Sequence, residues 1–281
     1  MRCVWDSFLH LIPVRLRAEV NKHGDLGIQE LRLRLGRPPE LIKFNKSIWM
    51  KENVTYDDLD FVINMASAYS PWQAATARYG YITAEGGHRI GICGEFASDS
   101  EVHSGFSRVT SVCIRLARDY QGIGCEISKL DGSTLIIGPP GCGKTTLLRD
   151  IVREKSESGT EVVVVDERNE IFPQSKKQFC FYPGKKTDVL SRCSKRDGIE
   201  MAVRTLTPSV VAVDEITAED DCDALIRAGR CGIDLLATAH ARNRQDLLRR
   251  NIYKPHISLG IFQYLVVLNP DKTWVWERMD V

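Results

Sequence analysis

The strongest chemical signature in the sequence is the segment GPPGCGKT, from Gly138 to Thr145, which fits the pattern G-x-x-x-x-G-K-[ST]. Strand-like TLII precedes it, and TTLLRDIVREK follows it with apolar residues at helical spacing. Phosphate groups need close backbone N–H groups, which Gly141 and Gly143 permit, and the positive end of a helix. Lys144 is expected to reach the β- and γ-phosphates, and the Thr145 hydroxyl to hold Mg²⁺. The predicted ATP site comprises Gly138, Pro139, Pro140, Gly141, Cys142, Gly143, Lys144, Thr145 and Thr146.

A pair of acidic residues, Asp214 and Glu215, follows the apolar run VVAV. At the carboxyl end of a buried parallel strand, such residues lie where ligands bind in open α/β sheets. Asp214 is predicted to complete the Mg²⁺ shell, and Glu215 to orient or deprotonate the attacking water. The pattern also fits a strand end followed by an N-capping acid, since Thr217 and Asp220 open a helix nearby. Beside the phosphate loop, the hydrolytic interpretation is favoured.

Two other apolar runs also end in polar residues. DLLATAHA ends in Thr238 and His240. His240 is predicted either to bond the γ-phosphate and report its loss, or to cap the helix that follows. VVVVDERNEI places Asp166, Glu167 and Glu170 at the end of a strand, where they either activate water or form a surface ion network.

The segment from Lys176 to Arg196 is strongly basic, with seven basic residues against one acid. Phe179, Phe181 and Tyr182 are interleaved with these charges, a composition that can bind nucleic acid. A solvated loop or a patch between subunits is the favoured interpretation.

The elements that must position these residues fall into two patterns. Up to Lys129, mixed helical and alternating segments predict an α+β domain over residues 1–129, including a hairpin around Gly86. From residue 130 onward, five short apolar runs are separated by helix-length connections. Such runs are typical of strands buried on both faces of a sheet, so residues 130–281 are predicted to form a parallel, doubly wound α/β domain. WVWER is expected to add an edge strand.

Composition excludes several classes of protein. The 281 residues contain 38 Lys and Arg against 37 Asp and Glu, so bulk attraction to DNA or to an anionic membrane is not expected, although localised patches stay open. No apolar stretch has the length of a membrane span, and a signal peptide is not expected. The nine cysteines include no CxxC pair, which favours core thiols in a reduced, cytosolic protein.

Together, these motifs resemble those of the secretion-type ATPases, the hexameric motors of type II and type IV secretion and pilus systems. The stretch from Met201 to Ala241 is similar to that family's Walker B strand, acidic helix and T-x-H histidine box. The resemblance implies a RecA-like P-loop domain, and it makes Glu170, in a segment spaced like the family's Asp box, a second candidate for the catalytic carboxylate. This chain departs from the family in having Asp214 where Gly is usual, and in lacking the metal-binding tetracysteine insertion.

Four stretches, LRLRLGRPPEL, GYITAEGGHRIGICGEF, GPPGCGKTTLLRDIVR and VVDERNEI, resemble a narrower family of sporulation ATPases in endospore-forming bacteria. This resemblance implies a cytosolic ATPase on the mother-cell side of the channel to the forespore, working beside membrane-embedded proteins of the same operon. It also implies a hexameric ring in which N-terminal basic residues complete the nucleotide site of the ring. Arg89, Arg108 and Arg115 are the candidates for that role.

Two other functions fit parts of the sequence. One is a nucleic-acid-associated ATPase, against which the near-zero net charge counts. The other is an assembly module in which nucleotide is only a structural switch, against which intact Lys144, Asp214 and Glu215 count. ABC ATPases and GTPases are disfavoured, because the sequence has no LSGGQ-like segment and no N-K-x-D after the phosphate loop.

Overall fold

The computed structural model describes residues 2–3, 5–67, 80–96, 106–175 and 178–279, and it contains two compact units. The first comprises Met1–Asp119 and Pro173–Cys180, and the second comprises Tyr120–Phe172 and Phe181–Val281. The second unit therefore begins ahead of the boundary expected at residue 130, and segment 173–180 groups with the first unit. The division into domains 1–129 and 130–281 stays a prediction.

The first unit is an α+β structure, as the sequence predicts. Its elements in chain order are β1 (Arg2–Cys3), α1 (Trp5–His10), α2 (Val14–Asn21), β2 (Ile28–Arg34), β3 (Glu40–Lys43), β4 (Lys46–Trp49), α3 (Tyr56–Ser67), β5 (Tyr81–Thr83), β6 (Arg89–Phe96), β7 (Phe106–Arg115) and β8 (Arg118–Asp119). Six strands form an antiparallel sheet in the order β4-β3-β2-β7-β6-β5. Alternation along β2 buries Leu31 and Leu33 in a core shared with Phe8 and Leu59 of the helices.

Three details of the first unit differ from the prediction or lie beyond it. The helical spacing of apolar residues from Phe8 to Val20 predicts one opening helix, but the structure has two, because Pro13 lies at the start of α2 and has no N–H to continue α1. The β3–β4 hairpin was not predicted. The segment LDFVINMASAYSPW predicts a helix that stops before Pro71; the structure describes this helix as far as Ser67, and residues 68–79 lie outside the described part of the chain.

The second unit contains a seven-stranded, mostly parallel sheet. Its elements are β9 (Thr134–Ile137), α4 (Lys144–Glu157), β10 (Val162–Asp166), β13 (Thr187–Ser191), α5 (Lys195–Thr205), β14 (Val210–Val213), α6 (Glu219–Arg230), β15 (Asp234–Ala239), α7 (Arg244–Arg249), α8 (Lys254–Ser258), β16 (Tyr264–Leu268) and β17 (Trp274–Arg278). Strands β11 (Gln174–Ser175) and β12 (Gln178–Phe179) pair with each other and belong to the first unit. The strand order is β13-β10-β14-β15-β9-β16-β17, and only β17 runs antiparallel to its neighbour. The five apolar runs are all strands of this sheet, and WVWER is its edge strand, as predicted.

Strand β13 and two of the cysteines do not follow the sequence expectations. Thr187–Ser191 pairs in parallel with β10, although its residues are only partly buried and form no apolar run. Among the eight cysteines whose side chains the structure describes, all free, Cys142 and Cys222 are buried and four are partly buried, whereas Cys93 and Cys231 are exposed, so the prediction of core thiols is wrong for these two. Burial raises the pKa of the Cys222 thiol to about 12.

Candidate active site

The phosphate loop joins β9 to α4 with a backbone that requires glycine. Gly141 and Gly143 have φ values of 76° and 109°, in the left-handed region that glycine adopts without strain. A Cβ at Gly138 would lie 2.6 Å from the Leu268 carbonyl oxygen and 2.7 Å from Cys142 Sγ. This loop before the first turn of α4 therefore fits a phosphate chain, since backbone N–H groups can approach it closely.

Lys144, at the first turn of α4, is only 7% exposed. Its ammonium donates to the Gly138 and Pro139 carbonyl oxygens at 2.9 and 3.0 Å, and to His240 Nδ1 at 3.0 Å. Burial lowers its pKa, although the nearby Cys142 thiol opposes this shift. An ammonium that must give up water has a strong preference for an anionic partner, which suits a phosphate-binding role.

His240 connects Lys144 to Glu215. Because an ammonium can only donate, Nδ1 of His240 is the acceptor and the proton of the neutral ring lies on Nε2. Nε2 lies 2.9 Å from Glu215 Oε1 and donates to it. The helix after His240, α7, is capped instead by Asn243, whose side chain accepts from the Asp246 backbone N–H. The structure therefore favours a role for His240 in the site over the capping alternative.

Asp214, at the end of β14, is held by two threonines. Thr145 Oγ1 of the phosphate loop donates to Asp214 Oδ2 at 2.7 Å, and Thr238 Oγ1 donates to Oδ1 at 2.5 Å. Mg²⁺ prefers oxygen ligands, and in nucleotide sites it takes one or two from the protein and others from phosphate and water. Thr145 and Asp214 therefore fit a Mg²⁺ ion bound together with a nucleotide. The helix that follows, α6, is capped by Asp221, which accepts from the Thr217 and Ala218 backbone N–H groups, so Asp214 is not a cap.

Glu215 has a left-handed backbone, with φ of 42°. A residue other than glycine keeps this conformation only when its surroundings hold it there. Thr238 supplies the restraint, since its Oγ1 accepts from the Glu215 N–H at 2.8 Å and its carbonyl oxygen accepts from the Ile216 N–H at 2.9 Å. The carboxylate lies between His240 and Arg168, whose Nη1 is 3.5 Å from Oε2. Glu215 is therefore held by Thr238 and His240 at the end of β15 and by Arg168 after β10.

The acidic residues Asp166 and Glu170, at and after the end of β10, have different positions in the structure. The buried Asp166 carboxylate accepts from the Glu170, Ile171 and Phe172 backbone N–H groups at 2.7, 3.0 and 2.9 Å. Burial raises its pKa, and these hydrogen bonds act in the opposite direction. Asp166 thus organises the turn, whereas the side chain of Glu170 lines a cleft with Glu215.

Sequence reasoning missed Lys195, the buried cation of this cleft. Lys195, the first residue of α5, is 5% exposed, and its Nζ lies 2.6 Å from Glu167 Oε2 and 3.5 Å from Asp221 Oδ2. This one ammonium therefore joins the start of α5 to Glu167, directly after β10, and to Asp221, in the first turn of α6. Nothing in the composition of the basic segment 176–196 indicates that Lys195 is buried.

The three candidate arginines all belong to the first unit, and they do not form one cluster. Arg89 and Arg115 are register partners on β6 and β7. Arg115 Nε lies 3.5 Å from Glu30, and Arg89 lies over the Tyr81 ring at 4.6 Å. Arg108 lies over the Tyr56 ring at 5.0 Å. The proposed role of these residues at a neighbouring nucleotide stays a prediction.

Acidic partners neutralise the basic segment 176–196 over most of its described length. Lys185 and Lys186 lie 3.8 and 2.7 Å from Glu157 and Glu161, and Arg196 lies 3.6 Å from Asp220. Exposed pairs of this kind add little stability, but they remove the net positive field that nucleic acid needs. The pairing therefore favours an ion network over a nucleic-acid surface.

Comparison with known proteins identifies the family. A family model described as "Sporulation stage III, protein AA" matches residues 8–275. The chain belongs to this family. The Stage III sporulation protein AA of Bacillus subtilis (strain 168) is 35% identical over 252 residues, which cover 83% of this chain and 80% of that protein.

Two solved structures share the fold at low identity. The Legionella pneumophila ATPase DotB has a TM-score of 0.59 at 16% identity, over 96% of this chain and 81% of that chain. The pilus retraction motor PilT, solved with bound ADP, has a TM-score of 0.62 at 16% identity, over 91% of this chain and 78% of that chain. The predicted RecA-like fold of the secretion ATPases is confirmed. Within the described residues, no helix combines the length and apolarity needed to cross a membrane.

Proposed function

We propose that this chain is a Mg²⁺-dependent P-loop ATPase that hydrolyses ATP to ADP and phosphate. The observation that carries this proposal is the 2.7 Å hydrogen bond between Thr145 and Asp214. It brings the hydroxyl of the phosphate loop, after β9, and the carboxylate that follows β14 to one point, as a metal–nucleotide site requires. The fold of the secretion ATPases and the glycine-dependent loop support it.

The side chains of the site have separate roles in the proposed reaction. Mg²⁺, when bound with the nucleotide, neutralises charge on the β- and γ-phosphates. When nucleotide binds, the Lys144 ammonium gives up its hydrogen bonds to the Gly138 and Pro139 carbonyl oxygens and donates to phosphate oxygens instead. Glu215 orients the attacking water and accepts its proton, and the Nε2–H of His240 holds the carboxylate. Glu170 lines the same cleft and is the alternative base.

Nucleotide turnover by a Lys144→Ala variant tests this proposal. The variant should lose ATP binding or hydrolysis but stay folded, because removing a buried ammonium also removes its desolvation cost. Lys129→Ala is the matched control, since that lysine is exposed and outside the cleft. Wild-type turnover by folded Lys144→Ala protein would refute the assignment of the phosphate loop.

We propose further that the ATPase works as a ring hexamer in the cytoplasm of the mother cell. In this role it powers or assembles the channel to the forespore, and membrane-embedded proteins of the same operon bring it to the membrane. Membership of the sporulation family and the secretion-ATPase fold support this setting. Turnover stimulated by DNA, with a steep dependence on salt, would instead favour the nucleic-acid-associated alternative.

A further inference from the structure

The tip of the β3–β4 hairpin places an aromatic residue in a strained turn. Lys43 and Lys46 are register partners, so Phe44 and Asn45 form a two-residue loop, with φ of 50° and 60°. Such loops need positive φ at both positions, which Asn, Asp and Gly adopt most readily. A bulky residue there is an outlier, and outliers of this kind cluster at functional sites. Phe44 is thus unfavourable for the turn itself.

The ring of Phe44 is presented to solvent beside a second apolar residue. Phe44 is 60% exposed, and its backbone N–H donates to the Gly27 carbonyl oxygen at 2.9 Å. The ring lies over Gly27, where a Cβ would clash with it. Leu26, directly before Gly27, is 64% exposed. Leu26 and Phe44 therefore form an exposed apolar pair at one end of the sheet.

Lys43 and Lys46 flank the two-residue loop that holds Phe44, and Lys22 precedes Leu26 by four residues. Lys22 and Lys46 are exposed. Lys43 donates to the His23 carbonyl oxygen at 2.6 Å, and its Nζ lies 6.0 Å from the centroid of the Phe44 ring. The segments 22–27 and 43–47 contain one acidic residue, Asp25, which is paired with Arg118. We call Lys22, Leu26, Lys43, Phe44 and Lys46 the hairpin patch.

We propose that the hairpin patch binds the surface of an anionic lipid bilayer. Phe44 and Leu26 enter the boundary between headgroups and acyl chains, and the three lysines face the headgroup phosphates. An exposed aromatic and aliphatic pair with lysines nearby in sequence and strand register suits that boundary, since the apolar groups leave water while the charges stay at an anionic surface. The patch lies in the first unit, and its function does not depend on the proposed hydrolysis.

Flotation with vesicles tests the proposal. The full chain should bind vesicles of two parts phosphatidylcholine to one part phosphatidylglycerol, and it should dissociate as salt is raised. Binding to pure phosphatidylcholine should be much weaker. Lys22→Gln and Lys46→Gln should each lower the partition coefficient about fivefold, from about 1 kcal/mol per lysine near an anionic surface. Lys254→Gln is the control, because that exposed lysine lies outside the patch.

The Phe44→Asn variant separates membrane binding from folding. Asparagine accepts the left-handed turn, so the melting temperature should stay the same or rise by about 3 °C. Vesicle binding should fall about tenfold, because the inserted ring is lost. Leu259→Asn, at an exposed leucine of the second unit, should leave binding unchanged. Equal binding to anionic and neutral vesicles, or wild-type binding by Phe44→Asn, would overturn the proposal.

Discussion

The hydroxyl of Thr238 positions both acidic residues of the proposed site, and Thr238→Val removes it while keeping the shape of the side chain. The residue is fully buried at the end of β15. Its Oγ1 donates to Asp214 Oδ1 at 2.5 Å and accepts from the Glu215 N–H at 2.8 Å. Valine fills the same space and can make neither bond. The substitution therefore tests positioning without creating a cavity.

Two lost hydrogen bonds set the expected fall in the free energy of unfolding. A hydrogen bond to a charged group contributes about 1.5–3 kcal/mol, and a buried N–H left without a partner costs about 1–3 kcal/mol. We expect the free energy of unfolding of the second unit to fall by about 3–5 kcal/mol. A misplaced Glu215 should lower kcat by about 10²-fold, since positioning of the reacting groups is what is lost. Affinity for ATP should change little, because Lys144 and the glycine loop are untouched.

Steady-state hydrolysis together with binding of a fluorescent ATP analogue measures both effects. Thr238→Ser restores the hydroxyl without the methyl group, so it should recover kcat while remaining less stable than the wild type. Thr134→Val is the matched control, since this buried threonine lies at the opposite end of the sheet, where its hydroxyl donates to the Gly132 carbonyl oxygen at 3.4 Å. An unchanged kcat for Thr238→Val, or no recovery with serine, would refute the positioning argument.

Three other predictions test the carboxylates, the ring and a buried histidine. Glu215→Gln should bind ATP and leave it uncleaved in single-turnover assays, and Glu170→Gln should slow cleavage less; the opposite order would exchange their roles. Substitution of Arg89, Arg108 or Arg115 should lower kcat more than it lowers the affinity for ATP. Mixing such a variant with Lys144→Ala subunits should restore partial activity, whereas no rescue in co-assembled rings would show that the site is complete within one chain. Burial lowers the pKa of His256 to about 4, so the unfolded chain takes up the proton first as pH falls below 6.5. Stability should therefore drop by about 2 kcal/mol between pH 7 and pH 5, and urea unfolding of His256→Leu should show a flatter pH slope than that of the exposed control His10→Gln.

Local patterns predicted most of the parallel sheet. Each apolar run is a strand because β-branched residues without alternation suit burial on both faces. The polar residues after these runs converge because the carboxyl ends of parallel strands share one edge of the sheet. That rule brings Thr145, Asp214, Glu215 and His240 within one hydrogen-bonded network. Their convergence at one edge of the sheet could thus be predicted from the motifs, whereas the strand order that makes them neighbours could not.

Properties set by distant partners could not be predicted in this way. The tautomer of His240 depends on Lys144, which is 96 residues away. The burial of Lys195 depends on Glu167, which follows β10, and on Asp221, in helix α6. Strand β13 has little apolar surface, so its place in the sheet depends on its backbone pairing with β10 rather than on burial of its side chains. Each of these features arises from a pairing that leaves no periodicity in the sequence.

Helix α4 also makes the candidate base Glu170 dependent on the phosphate loop. Three charged residues in the middle of α4 are buried, and each bonds to the backbone of another segment, as burial of charge requires. Asp150 accepts from the Gly124 N–H at 2.7 Å, Arg153 donates to the Tyr182 carbonyl oxygen at 2.9 Å, and Arg149 donates to that of Glu170 at 2.9 Å. The helix that starts at Lys144 therefore holds the backbone that carries Glu170. We therefore expect a change in the phosphate loop that shifts α4 to affect Glu170 through this backbone hydrogen bond, whereas Glu215 is held by Thr238 and His240.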